Sequence, residues 1–251
     1  MSNYFIAPYP KNHIPTKHAD IGNDYLDISE GFYNTIQGEG PTFGRPSIFL
    51  RVQGCTLNCV WCDTDWQKGF RFSFEELFLI MEKHNLIDQL MIEGRHLILT
   101  GGSPLKQQDR LVNFFAEFAH RYQFMPYIEV ENECTIIPTK EFDGIVTQWN
   151  NSPKLANSNM AERVRFRPEV LAWFRKNRAD ANFKFVISTE GDIKEIQQLF
   201  VLGEVAPHQI ILMPEGDTAE KIEAKRKWVL EICMKYGWRY STREQIFLDV
   251  L

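Results

Sequence analysis

Three of the five cysteines crowd into one octapeptide, Cys55-Thr56-Leu57-Asn58-Cys59-Val60-Trp61-Cys62, with the spacing C-x-x-x-C-x-x-C. Thiols this close in sequence share one compact loop and suit ligation of a metal or cluster better than a disulfide framework. A 4Fe–4S cluster normally takes four thiolates, so three neighbouring ones hold three irons and leave the fourth open. An open iron is a site for a ligand that reacts. The competing assignment is a non-enzymatic zinc-binding module completed by Cys134, Cys233 or a histidine. Structural zinc sites, however, usually pair one C-x-x-C with a second, distant pair, and the chain has none. Cys233 falls on an apolar helical stripe, where a buried thiol is the ordinary role.

A second segment able to meet a ligand is Thr100-Gly101-Gly102-Ser103-Pro104, whose glycines permit close backbone approach. On its own it is an ordinary strand-to-helix corner. Arg51 stands at a strand end, where a guanidinium either holds an anionic ligand or pairs with one of the 33 acids. Taken alone, Glu39 and Asp63 are also compatible with solvated surface carboxylates, Thr64 with a turn hydroxyl, and Ser152-Pro153-Lys154 with a plain proline turn.

These segments need a scaffold, and the hydrophobic pattern supplies one. Strands are expected at Ser47–Val52, His96–Thr100, Tyr127–Glu131, Gly144–Gln148, Phe183–Ser188 and Gln209–Met213, several of them continuously apolar as strands buried on both faces should be. Ser73 with Glu76 forms a capping box opening a helix at Phe74–Lys83, and Asp192 with Glu195 has the same spacing ahead of Ile193–Leu202. Apolar stripes mark helices over Asp109–Arg121 and Ala219–Tyr236, whereas Cys134–Asp143 has no stripe and predicts an irregular crossover. Strand–helix alternation gives a parallel sheet with right-handed crossovers, and six such units predict an α/β fold of the partial (β/α)6 barrel type. Residues 1–25, with Pro8, Pro10 and Pro15 and no apolar period, predict an irregular N-terminal extension, a surface wrap or disordered arm, ahead of a core domain at 26–251.

Composition narrows the function classes. The 251 residues carry 28 basic and 33 acidic side chains, a net charge of −5 with no basic concentration, which weighs against a nucleic-acid surface. Hydrophobic residues at 44% and 19 phenylalanines exclude a wholly disordered chain. No apolar run approaches the roughly 20 residues a bilayer needs, and no signal-peptide layout opens the sequence. A cytoplasmic protein with reduced thiols is therefore expected.

With its aromatic Trp61 before the last cysteine and the glycine pair downstream, the cysteine motif resembles the radical S-adenosylmethionine superfamily. From Ile28 to the C-terminus the chain more closely resembles the 7-carboxy-7-deazaguanine synthase family of queuosine and deazapurine biosynthesis. The carrying residues are Phe32-Tyr33-Asn34-Thr35-Ile36-Gln37-Gly38-Glu39-Gly40, Gly44-Arg45-Pro46-Ser47-Ile48-Phe49-Leu50-Arg51, Cys62-Asp63-Thr64 and Ser152-Pro153-Lys154. The Thr35–Gly40 string is the most specific of them.

The resemblance implies a lyase that converts 6-carboxy-5,6,7,8-tetrahydropterin to 7-carboxy-7-deazaguanine with loss of ammonia. It implies a 4Fe–4S cluster on Cys55, Cys59 and Cys62, and S-adenosylmethionine against Gly102, Ser152, Pro153 and Lys154. The pterin would lie against Ile36, Gln37, Gly38, Arg51 and Thr100, with Mg²⁺ on Thr64 and no side-chain nucleophile. It further implies a homodimer and an electron donor such as flavodoxin or ferredoxin. A glycyl-radical enzyme activase shares the cysteine spacing, and the Thr35–Gly40 and Ser152–Lys154 strings argue against it.

Three segments depart from the family pattern. Ser103 stands where an acid often follows the two glycines. The third-strand motif Glu-Thr-Asn/Gln-Gly-Thr reads Glu131-Asn132-Glu133-Cys134-Thr135. The Gln and His that follow Trp238-Arg239-Tyr240-Ser241 in some members are replaced around Arg243 and Gln245.

Overall fold

From Pro46 onward the residues of each strand point alternately to two unlike environments, and that alternation organises the molecule. The computed structural model describes residues 3–8, 24–201 and 205–250. Its strands are β1 (Tyr4–Ile6), β2 (Tyr25–Ile36), β3 (Pro46–Val52), β4 (Phe70–Ser73), β5 (His96–Gly101), β6 (Tyr127–Asn132), β7 (Gln148–Asn151), β8 (Phe183–Ile187), β9 (Ile210–Pro214) and β10 (Arg239–Tyr240). They form one mixed sheet in the order β1-β2-β3-β5-β6-β7-β8-β9-β10, with β4 also paired to β2. Pairing is parallel from β3 through β10, while β1, β3 and β4 run antiparallel to β2. The helices are α1 (Phe74–Lys83), α2 (Leu86–Met91), α3 (Gln108–Tyr122), α4 (Lys140–Ile145), α5 (Glu162–Arg165), α6 (Pro168–Asn177), α7 (Glu190–Ile196), α8 (Ala219–Tyr236) and α9 (Glu244–Phe247).

One face of the sheet carries Ile48, Leu50, Leu97, Leu99, Ile128, Val130, Trp149, Phe183, Phe185, Ile210 and Leu212 into the main core. Phe78 of α1 stacks there on Phe114 of α3 at 4.9 Å, and Val229 and Ile232 of α8 join the same cluster. The capping box at Ser73 and Glu76 starts α1 as expected, each side chain bonding the other's backbone. The other face holds a small separate cluster of Phe32, Phe49 and Ile98, the polar Arg51, Thr100, Glu129, Glu131, Asn150 and Lys184, and, on β8 and β9, the apolar Val186, Ile211 and Met213. Strands such as β5 and β9 are buried on both faces, as their continuous apolar runs predict, while the polar residues of the second face line a cavity.

Several expectations are corrected. The strand expected at Gly144–Gln148 begins at Gln148, because Thr139 caps α4 by accepting from the Phe142 N–H (3.2 Å) and draws Gly144 and Ile145 into a helix. Polar Gln148-Trp149-Asn150-Asn151 hid that strand, since only Trp149 faces the core. Residues 134–139 of the crossover are irregular as expected, with short α4 after them. Asp192 does not cap α7: Thr189 is its N-cap, and Asp192 accepts from the Ser188 and Thr189 N–H groups (both 2.8 Å). Glu195 bonds instead to Arg165 and to the Ala156 N–H, and α7 continues as a π-helical turn over Gln197–Val201, while Leu202 is outside the described residues.

The N-terminal extension is not wholly irregular. Tyr4–Ile6 pairs with β2 and Ile6 is buried, whereas Pro10 and Pro15 lie outside the described residues. β2 itself escapes the alternation rule because its register shifts twice and Asn34 is left-handed (φ 58°).

Candidate active site

A cavity of about 790 Å³ opens where the parallel strands end, walled by the inner sheet face and the loops that follow β3, β5, β6, β7 and β9. All the residues that the sequence nominated line it except Pro153, which is buried behind Ser152 and Lys154.

The cysteine loop leaves β3 at Gly54, whose φ of +89° makes the turn, and is held from several sides. The Ser103 N–H donates to Gly54 O (2.7 Å), the Val60 N–H to Ser158 O (3.2 Å), and the Trp61 indole to Asn157 (3.2 Å). Cys55, Cys59 and Cys62 all face the cavity, while Cys134 and Cys233 are buried in the main core. Among the described residues no His, Cys, Asp or Glu group is gathered to cage a single ion. A cubane asks something different, one thiolate for each of three irons.

Burial pushes the Cys55 thiol up to about 11, partly offset by the Leu57 N–H and reinforced by Glu133, and burial likewise raises Cys59. Loading iron must therefore release protons from this loop.

The glycine pair abuts the cysteine loop directly. A Cβ on Gly102 would sit 2.0 Å from Gly54 O and 2.8 Å from Cys55 N, so only glycine lets the end of β5 meet the loop. Across the cavity Lys154 donates to Ser152 Oγ (2.9 Å) and lies 5.4 Å from the Trp61 ring centre.

At the opposite end the turn of residues 37–45 closes the floor. Gln37 Nε2 donates to Glu129 (2.8 Å) and Glu131 (3.3 Å), and Thr42 Oγ1 to Glu129 (2.6 Å). Asn150 and His96 also meet Glu129, which is fully buried, and Thr100 Oγ1 donates to Glu131 at 2.5 Å. Arg51 pairs with Glu30 (2.7 Å) and donates to Thr64 Oγ1 (3.1 Å), so the ordinary ion pair and the cavity position hold together.

Glu39 is no solvated surface acid. It pairs with Lys184 and with Arg243 (3.1 Å), and accepts from Gln245 (3.1 Å). Arg243 also reaches Asp63 (2.6 Å), tying the floor turn, the cysteine loop and the C-terminus together. Burial by itself would raise the Glu39 carboxyl, but Lys184 and Arg243 hold it down to about 2. Glu129, Glu131, Lys184, Arg243 and Gln245 were not singled out as site residues. A lone lysine in Phe183-Lys184-Phe185 is the signal that could have found one of them.

This network makes stability depend on acid. A depressed carboxyl contributes stability that is complete above its ordinary value of 4.5 and lost as pH falls toward about 2. In urea unfolding the parent should lose on the order of 3 kcal/mol across that window. Glu39→Gln should be less stable near neutrality and flatter on the acid side. Equal acid losses in both proteins would show that the network is not the source.

The comparisons bear on what this cavity handles. Residues 36–130, which span the floor turn, the cysteine loop and the glycine pair, match the family model described as a 4Fe-4S single cluster domain. The 7-carboxy-7-deazaguanine synthase of Pyrobaculum aerophilum is 28% identical over 218 residues, covering 85% of this chain and 90% of that one. That of Halobacterium salinarum is 28% identical over 264 residues, covering 95% and 97%. Over most of its length the chain is similar to several 7-carboxy-7-deazaguanine synthases. The synthase of Escherichia coli K12 is again 28% identical, over 87% of this chain and 96% of its own. The fold agrees: the crystal structure of QueE from Escherichia coli superposes with a TM-score of 0.60 at 22% identity, covering 87% of this chain and 93% of that one. Among the described residues no helix is long and apolar enough to cross a membrane.

Proposed function

We infer that the chain is a radical S-adenosylmethionine lyase that converts 6-carboxy-5,6,7,8-tetrahydropterin to 7-carboxy-7-deazaguanine with loss of ammonia. One observation carries this: three loop thiols, a glycine pair in backbone contact with their loop, and a polar ring of Arg51, Thr100, Glu131 and Lys184 all face one cavity. A cavity bridged by Arg243 between Glu39 and Asp63 suits a small polar bicycle better than the polypeptide segment a glycyl-radical activase must admit.

When bound, the cluster and S-adenosylmethionine supply the radical chemistry, and the protein supplies position and shelter from water. Cys55, Cys59 and Cys62 hold three irons. Gly102, Ser152 and Lys154 lie against S-adenosylmethionine, with Pro153 setting the turn behind them. Arg51 takes the pterin carboxylate, sharing its guanidinium with Glu30, while Ile36, Gln37, Gly38 and Thr100 meet the pyrimidine edge. The Thr64 hydroxyl, beside the Asp63 carboxylate at 3.4 Å, belongs to the hard-oxygen donor set that Mg²⁺ prefers. No side chain acts as a nucleophile.

The finer architecture in this reading is a partial (β/α)6 barrel formed by residues 26–251. Its support is that Glu39, only three residues after β2, pairs with Lys184 on β8 itself. In a flat sheet five strand spacings would separate those strands by about 24 Å. The homodimer, the flavodoxin or ferredoxin donor, and the cytoplasmic setting belong to the same reading.

The deciding experiment incubates 6-carboxytetrahydropterin with anaerobically reconstituted enzyme, dithionite, S-adenosylmethionine and Mg²⁺. A product lighter by one ammonia is expected, and pterin returned unchanged by fully cluster-loaded enzyme overturns the reading. In the same assay Thr64→Val, nearly isosteric but lacking the oxygen, should keep its cluster and lose about tenfold or more of the Mg²⁺ stimulation. A parent-like Mg²⁺ response moves the metal off Thr64, with Asp63 the next candidate.

A further inference from the structure

Glu133 is an acid of the cavity wall whose chemistry is half used. It is 5% exposed, and its Oε1 receives the hydroxyls of Thr135 (2.6 Å), Ser103 (2.7 Å) and Thr56 (2.8 Å). Its Oε2 is buried with no hydrogen-bond partner among the described residues. Buried carboxylate oxygens are nearly always bonded, so an orphaned one on a cavity wall calls for a donor from a ligand.

The surroundings say which ligand. Thr56 belongs to the cysteine loop, next to Cys55, and Ser103 follows the glycine pair, so the orphaned oxygen sits where loop and glycines meet. Glu133 reaches the cysteine loop through Thr56, whereas Lys154 lies over Trp61 of the same loop and donates to Ser152, and no ion pair between the two is present among the described residues. An anion and a cation flanking one loop without pairing fit the two ends of an amino-acid group, amino toward the carboxylate and carboxylate toward the ammonium.

We propose that Glu133 Oε2 accepts from the amino group of the methionine moiety of S-adenosylmethionine, with Ser103, Thr56 and Thr135 locking the carboxylate in place. The acid often found directly after the two glycines is Ser103 here, and the carboxylate has moved to the end of β6 at a position where the family carries Asn or Gln. The two departures from the family pattern are therefore one compensated exchange, joined by the 2.7 Å bond between Ser103 and Glu133.

The inference rests on the radical S-adenosylmethionine reading, and equilibrium binding to cluster-loaded protein without pterin separates the two. The parent should bind S-adenosylmethionine at least about tenfold tighter than the analogue lacking the amino group. Glu133→Gln, isosteric and still able to accept the three hydroxyls on its carbonyl, should keep its iron and bind both compounds alike. Exchanging the pair, S103E with E133S, should recover discrimination that Glu133→Ser loses. A Glu133→Gln protein that discriminates as the parent does overturns the proposal, as does a parent that does not discriminate or an exchanged pair that recovers nothing. A loaded parent that binds neither compound overturns the underlying reading as well.

Discussion

Replacing Cys55, Cys59 or Cys62 with Ala should abolish turnover and leave anaerobically reconstituted protein nearly colourless, whereas the parent should carry about four irons per chain. Three thiolates are the minimum that holds a cubane with one free iron, so removing one forfeits the cluster and not merely a contact. Cys134→Ala and Cys233→Ala serve as controls. Both thiols are buried in the main core, Cys233 donating to Arg239 O at 3.3 Å, so their loss should cost stability of about 1–2 kcal/mol and leave iron content intact. Iron content and absorbance measure the outcome. A brown, active Cys59→Ala protein, or a colourless Cys134→Ala one, would overturn the ligand assignment.

Gly102→Ala should be nearly as severe, although it adds one methyl group. That methyl would lie 2.0 Å from Gly54 O and 2.8 Å from Cys55 N, both backbone atoms that no side-chain rotation can move. The strand end and the cysteine loop must separate, stretching the 2.7 Å bond from the Ser103 N–H to Gly54 O. Overpacking of this kind costs about 1–3 kcal/mol. Here the strain falls on the residue before Cys55, so the expected reading is a five- to 150-fold loss of S-adenosylmethionine affinity, roughly what 1–3 kcal/mol converts to. Gly44→Ala is the contrast: its φ is +83° but nothing lies within 4 Å, so only local backbone strain follows. Parent-like S-adenosylmethionine binding by Gly102→Ala would show that the contact yields without cost.

Much of the site is local in sequence and could be read there. Cys55, Cys59 and Cys62 lie on one loop because eight residues cannot separate them far, and Gly101-Gly102 advertises a close approach without naming its partner. The outward faces of the strands were legible through their apolar residues. β2 and β7 were not, because bulges interrupt one and the other puts a single large apolar residue, Trp149, in the core.

The sequence by itself determined that three thiols share one loop, the strand–helix alternation and the family resemblance, since each depends on residues near one another along the chain. Tertiary structure decided the fate of the charged groups. Glu39 and Arg243 stand 204 positions apart and meet only when the floor turn and the C-terminus close on the sheet. Glu133 and Ser103 read separately as two losses from a motif and become one carboxylate site when β5 and β6 lie side by side. An isolated charge in a sequence is indifferent between solvent and a buried partner, and only the folded chain supplies the partner that makes burial affordable.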